Sequence, residues 1–399
     1  MDNKKELNII SGIAFNRGGA GIFLARFCQS LESSGIKVNY YGGKAQGSLR
    51  VLLAKRDVVG VVRELVFRVR QLQKKTELPL FDLKPVPTII FFPQGLGFRN
   101  VNKFLSKAKR QPWIFVLDNS FFCKRAYNSI PPSWAPCLKC LGGAYDNAEL
   151  NACQSNDSND IDLMELAQLQ RHVSQKRVKF FAQSRTQEAL LRAHYGSDTD
   201  VSVVGLPIRH SACSRRATGT KDGYDFVYHA SSRWAKGVGV LLEMAVRLPQ
   251  YCFLFPEPKA NLLKALDALG SDNSIPENIS CRNIRWQHGL AAAVESAKAI
   301  LCPSVWSNPI EGAFIKSLVH NGCVVVVKEK TSFSDELPDG AVLRLDLSDL
   351  DACASELVKL MESPESRRRY RQTSLAWLQE DTLTNRHGID RFCSFVFGR

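Results

Sequence analysis

The chain has 399 residues, 45% hydrophobic and 23% charged, with a formal net charge of +14 from 53 Lys and Arg against 39 Asp and Glu. This balance excludes a disordered or fibrous chain, the length favours two domains over one core, and no apolar run reaches the roughly eighteen residues of a transmembrane helix. The N-terminus enters a strand without a signal peptide, which points to the cytoplasm, and the cationic excess suits phosphate-bearing partners: nucleotides, anionic lipid or nucleic acid.

Leu7 to Ile13 reads as a strand that runs into a glycine-rich turn and a helix over Ile22 to Ser33. That order suits a phosphate or sugar approaching the backbone closely, with Gly18, Gly19 and Gly21 as candidate contacts; the plain alternative is a tight turn. Lys37 to Tyr41 is a second strand. Asp57 to Lys75 has the period of an amphipathic helix with a basic face, which either lies on anionic lipid or is simply solvated. Thr88 to Phe92 is a strand, Lys103 to Arg110 a basic helix, and Trp113 to Leu117 a strand ending at Asp118. A carboxylate at a strand's carboxyl end can do acid–base work or bind a hydroxyl.

An aperiodic, Pro- and Gly-rich insert over 121–155 carries Cys123, Cys137, Cys140 and Cys153. A Cys-x-x-Cys pair with two flanking cysteines suits structural zinc, with an iron–sulfur cluster, a redox pair or four unlinked thiols as alternatives. The remaining cysteines sit mostly singly in apolar contexts and read as small buried hydrophobes of a reducing compartment.

Leu163 to Val173 is a helix, Val178 to Gln183 a strand, and Ser184 opens the next helix with a capping-box-like pattern. Val201 to Val204 is a strand. The polar, basic stretch 209–223 is the expected linker, and a second α/β series follows. Phe226 to His229 is its first strand. Arg233 and Lys236 flank the exit and Gly237 opens the helix Val238 to Leu248; two cations at a helix N-terminus suit a diphosphate. Further on, Leu301 to Lys328 reads as strand, loop, helix and strand. Pro309 is expected to start that helix, Asn321-Gly322 to stop it, and Val324 to Val327 to form a strand covered on both faces. Ser307, Asn308 and Glu311 sit at the turn before the helix, where a carboxylate can accept hydrogen bonds from sugar hydroxyls. Both loops would open on one edge of the sheet.

These features together resemble the GT-B fold, and within it the retaining glycosyltransferase family 4. The resemblance rests on two Rossmann-like halves, the N-terminal glycine-rich turn, Lys236-Gly237 after the first strand of the second half, and Pro303-Ser304, Trp306 and Pro309 followed by a helix and Gly322 to Val326. It implies an α/β protein of two Rossmann-like domains facing across a cleft: an acceptor domain over 1–208, a linker over 209–223, a donor domain over 224–375, and a C-terminal helical segment over 376–399 packing back on the first. It implies transfer of a sugar from a nucleotide-sugar donor to a glycan or lipid-linked acceptor, with retention, in surface polysaccharide or lipopolysaccharide assembly at the inner face of the membrane. No cofactor is implied for the chemistry. Lys236 would hold the donor diphosphate, with Arg233, Gly237, Ser307 and Asn308 around it; Glu311 and Gly312 would hold the donor sugar; Gly18 to Gly21 would face the donor phosphates and acceptor; Asp118 and Glu311 would be the catalytic carboxylates.

The chain departs from the family pattern at three places. Ser231 stands where an arginine is usual. The first family glutamate falls on Asn308 or Glu311. Ser317 stands where a glutamate usually holds the nucleotide ribose. These departures keep two alternatives open: an inverting transferase with Asp118 as general base, and a non-catalytic sugar-nucleotide or nucleic-acid binding protein on this scaffold. Nucleic acid is the weaker partner, because the basic residues form no recognised binding motif.

Overall fold

The computed structural model describes residues 5–15, 18–42, 83–155, 161–206, 223–267, 274–380 and 387–398, together with the backbones of two single positions, 58 and 62. The linker expected over 209–223, apart from its last residue, and nearly all of the basic helix expected over 57–75 lie outside them.

Two parallel sheets of six strands each form the frame. The first is built from β1 (Glu6–Ser11), β2 (Lys37–Gly42), β3 (Thr88–Phe91), β4 (Trp113–Phe115), β5 (Lys179–Ala182) and β6 (Val201–Val203), in the spatial order β2-β1-β3-β4-β5-β6. The second is built from β7 (Phe226–Tyr228), β8 (Phe253–Phe255), β9 (Ile279–Cys281), β10 (Ala299–Leu301), β11 (Val324–Val327) and β12 (Leu343–Leu345), in the order β12-β11-β10-β7-β8-β9. The inner strands β7, β8, β10 and β11 are buried at every residue, because helices cover both faces of a parallel sheet.

Each order reverses once. The chain builds outward from β1 to β2, then returns to the other side of β1 with β3; likewise it builds from β7 through β8 to β9, then returns beside β7 with β10. At such a reversal the two exit loops diverge at the carboxyl ends of the strands and leave a crevice, where open α/β sheets bind ligands. Both crevices are floored by a glycine that lets two loop backbones touch. A Cβ on Gly12, after β1, would lie 2.2 Å from the Phe92 carbonyl oxygen, and a Cβ on Gly237, after β7, would lie 1.9 Å from that of Pro303.

Several boundaries differ from the sequence reading. The helix expected from Ile22 begins at Gly18, so the glycines form its first turn rather than a free loop. The helix expected over Lys103 to Arg110 runs over Phe98–Lys107, one turn earlier, because Phe98, Val101, Phe104 and Leu105 carry its buried stripe. Pro309 does not open the helix before β11. That helix is Gly312–His320 with Glu311 at its N-cap, because the Trp306–Ser307–Asn308 backbone is held in a loop by the groups described below. The insert is not wholly irregular, since it holds a short helix at Asp146–Leu150.

At the C-terminus two helices divide their contacts. Helix Pro364–Glu380 packs on the second sheet's layer, where the Ser374 hydroxyl donates to the Gly322 carbonyl. Helix His387–Phe397 returns to the first, where Phe392 meets Phe27 edge-on at 4.9 Å and Phe181 at 5.2 Å between ring centroids. No helix among the described residues is long and apolar enough to cross a membrane.

Candidate functional site

The crevice of the second sheet gathers the residues predicted on the loops after β7 and β10. The loop after β7 turns through a short 3-10 segment, Trp234–Lys236, and Gly237 (φ 80°) admits the left-handed backbone that starts helix Val238–Arg247. This brings Lys236 onto the loop after β10. Its Nζ donates to Glu311 Oε1 at 2.6 Å, with the two side chains only 17% and 11% exposed. Ser304 Oγ is 3.1 Å from both carboxylate oxygens, and the Trp306 indole N–H donates to Oε1 at 3.0 Å. The ammonium also stands over the rings of Trp306 (4.6 Å to centroid) and Tyr127 (5.0 Å), and the Arg233 guanidinium lies 5.4 Å from the same Tyr127 ring. An ammonium has three donors. Glu311 takes one, which fixes the other two in a half-desolvated aromatic frame. Glu311 is thereby a positioning group for Lys236.

Tyr127 belongs to the insert of the first sheet, so the two halves meet here. The insert is clasped to the β10 loop by buried amides. Asn119 Nδ2 donates to the Ser307 carbonyl at 2.8 Å, Asn128 Nδ2 to Ser307 Oγ at 2.9 Å, and the Ser307 N–H returns a bond to Asn128 Oδ1 at 3.1 Å. Trp134 packs on Trp234 at 4.8 Å, and the Trp234 indole donates to the Ser133 carbonyl. On the far side Glu336 accepts from the Thr186 N–H at 2.6 Å and hydroxyl at 2.8 Å, capping a helix of the first layer. Asn128→Ala strips a buried partner from both Ser307 groups, so we expect it to cost about 1–3 kcal/mol, read as a lower denaturant midpoint.

The other predicted residues fall in three settings. Asp118 follows β4, buried, with Gln94 Nε2 donating to one oxygen and the Ser120 N–H to the other at 3.0 Å. It adjoins Asn119 and therefore the clasp. Asn308 lines a small, partly open pocket with Ser304, Glu311 and Phe314. Gly312, like Gly18 and Gly19, has open space where a side chain would stand, whereas Gly21 is buried. The first-layer helix approaches the second layer closely enough for the Arg26 charge to bear on Lys316, whose pKa is lowered chiefly by burial and then by Arg26.

Ser317 faces no open pocket. It is fully buried, its hydroxyl donating to the Ala313 carbonyl at 2.9 Å and lying 2.9 Å from His229 Nδ1. His229 in turn stacks on Trp286 at 5.2 Å. Burial, then Lys316 and His320, push the His229 pKa down to about 4, and burial does the same to His194. The unfolded chain binds more protons than the folded one between that value and the ordinary 6.5. This contribution is therefore complete above about pH 6.5 and drains as pH falls toward 4. We expect a loss of roughly 2 kcal/mol per histidine from pH 7 to pH 5, read by denaturation at the two pH values and diminished in His229→Asn.

In the insert, burial pushes the Cys123 thiol up to about 12, and the neighbouring Cys140, Cys153 and Cys137 push the same way. None of the four is in a disulfide. Thiol chemistry fits zinc, but among the described residues no three His, Cys, Asp or Glu side chains converge closely enough to hold a metal ion.

Residues the sequence reading did not single out complete the site. They are Tyr127 between the two cations, Asn119 and Asn128 of the clasp, and the His229–Trp286 stack. Only Asn119, beside Asp118 at a strand exit, carried a local signal.

No protein-family model matches the chain, and no curated protein matches it. Solved structures match it over nearly its whole length at low identity. The Anabaena protein Alr3699/HepE, solved with UDP and glucose, is 12% identical, with 98% of each chain covered and a TM-score of 0.58. An E. coli trehalose-6-phosphate protein bound with UDP-2-fluoro glucose is 13% identical, with 98% of each covered and a TM-score of 0.54. WaaG, a glycosyltransferase involved in lipopolysaccharide biosynthesis, is 11% identical, with 99% of this chain and 100% of that one covered and a TM-score of 0.51. These likenesses establish the fold: two Rossmann-like halves in the GT-B arrangement.

Proposed function

We propose that the chain is a glycosyltransferase that takes a sugar from a nucleotide-sugar donor and passes it to a glycan or lipid-linked acceptor. The observation that carries this reading is the Lys236–Glu311 pair at the reversal point of the second sheet, facing the insert of the first. The UDP and UDP-sugar bound in structures of the same fold support it.

In this reading the donor diphosphate lies against Lys236 and Arg233. Charge builds on the leaving phosphate as the sugar–oxygen bond breaks; the Lys236 ammonium, held by Glu311 in a partly desolvated frame, stabilises that charge without reorganising, and the exposed Arg233 adds a second cation beside it. Asp118 lies on the acceptor side. Retention is the outcome implied by the resemblance, and the anomer of the product decides between it and inversion with Asp118 as base. A role in polysaccharide or lipopolysaccharide assembly, with the basic face expected over 57–75 against anionic lipid, belongs to the same proposal. Turnover of a panel of nucleotide sugars, followed as nucleoside diphosphate release, tests it. At least one donor should be consumed; a folded protein that binds and consumes none points to the non-catalytic reading.

A structural zinc on Cys123, Cys137, Cys140 and Cys153 is also part of the proposal, carried by the donor chemistry of a Cys-x-x-Cys pair with two flanking thiols and not by their placement. Elemental analysis of the purified protein should find one zinc per chain, with chelation lowering the melting temperature. Four freely titrating thiols and no bound metal would remove this element.

A further inference from the structure

We propose that a second cavity, beside the donor lysine, recognises an acidic sugar of the acceptor glycan. This rests on the glycosyltransferase reading and adds the acceptor's chemical class. The cavity, about 440 Å³, lies between the insert and the second layer. Its walls include Arg125 and Tyr127 from the insert, Arg233 and Trp234 from the β7 loop, and Asn261 and Lys264 from helix Lys259–Asp267. That volume takes a small organic ligand.

Three cations from three segments of chain line this space, and no carboxylate does. The nearest acidic group on that helix's approach, Glu257, accepts from the Asn261 amide at 3.2 Å. Neither Arg233 nor Lys264 forms an ion pair among the described residues. Cations so placed favour an anionic ligand, and the planar guanidinium forks suit a carboxylate, sulfate or phosphate substituent. The remaining walls suit a sugar ring. Tyr127 and Trp234 give flat apolar faces, and Ser129, Ser232 and Asn261 give hydroxyl and amide partners. A bare inorganic anion would leave those faces unused.

The cavity is continuous with the donor site and shares Arg233 and the Tyr127 ring with it, whereas Lys236 does not line it and Arg125 and Lys264 belong to the cavity alone. A glycan seated there lies alongside the bound donor, with its acidic unit held away from the reacting hydroxyl.

The test uses a glucuronate-containing tetrasaccharide and its carboxyl-reduced neutral counterpart, titrated calorimetrically into the full chain. We expect the acidic probe to bind roughly tenfold or more tightly than the neutral one. Lys264→Glu, an exposed helix position, should erase that preference and leave affinity for the donor nucleoside diphosphate unchanged. Equal binding of the two probes, or an unaltered preference in Lys264→Glu, overturns the proposal. So does displacement of the tetrasaccharide by inorganic phosphate at equal concentration, or by nucleoside diphosphate, which would make the cavity a plain anion site or part of the donor site. Donor turnover is measured separately. Turnover without acidic preference removes only this subsite, whereas acidic preference without any donor binding removes the glycosyltransferase reading and leaves a glycan-binding cavity.

Discussion

Lys236→Ala is expected to lower sugar-transfer turnover by about 10²–10³-fold, the usual loss when one preorganised group facing developing charge is removed. Glu311 makes this variant ambiguous unless it is treated as a pair. The two side chains are desolvated together, so deleting the ammonium leaves a buried carboxylate and is expected to cost about 3–5 kcal/mol of stability. Lys236→Met with Glu311→Gln separates the effects. The amide still accepts from Ser304 and Trp306, so no unpaired charge stays buried and most of the stability should return. Turnover should not return, because the cation is gone. A double variant with native-like melting and native turnover would place the diphosphate elsewhere.

Gly237→Ala is expected to be the most damaging single methyl group in the second layer. The new Cβ would sit 1.9 Å from the Pro303 carbonyl oxygen, a backbone atom that cannot rotate away, on a residue with φ +80°. Left-handed strain alone costs about 1–3 kcal/mol, and the clash forces the β7 and β10 loops apart. We expect more than about 4 kcal/mol in total, which marks a named structural fault rather than an ordinary substitution. Gly312→Ala is the control. It lies in a helix with open space at the Cβ position, so it should be neutral or stabilising by less than about 1 kcal/mol. Melting of the three proteins side by side reads the difference, and similar shifts for both variants would deny the close approach of the two loops.

The architecture was legible because parallel strands covered on both faces write themselves as apolar runs, as in Val324–Val327, and because glycines punctuate their exits. The pairing of Lys236 with Glu311 was only half legible. Each residue stood at a strand exit, but their contact depends on Gly237 letting two loops touch, and that approach has no sequence period. The contacts of the clasp were not legible, although Ser307 and the neighbour of Asn119 are each singled out in the sequence. Asn119, Asn128 and Ser307 are ordinary turn residues, and 188 positions separate the first from the last. Ser317 shows the converse: alignment by spacing placed it at a ribose, whereas its fully buried hydroxyl is engaged by His229 and the Ala313 carbonyl. Pro309 failed as a helix start because hydrogen bonds from the insert hold the preceding loop, a tertiary effect that overrides a local preference.

The central claim is that the β7–β10 junction holds the diphosphate of a nucleotide sugar. The most direct measurement is calorimetric titration of uridine, guanosine, adenosine and cytidine diphosphates into the native protein and into the folded Lys236→Met, Glu311→Gln variant. The account predicts that at least one binds the native protein and that the variant binds it roughly tenfold or more weakly, in line with the loss of a charge-assisted contact. Equal affinity in the two proteins, or no binding of any diphosphate to the native fold, would contradict it.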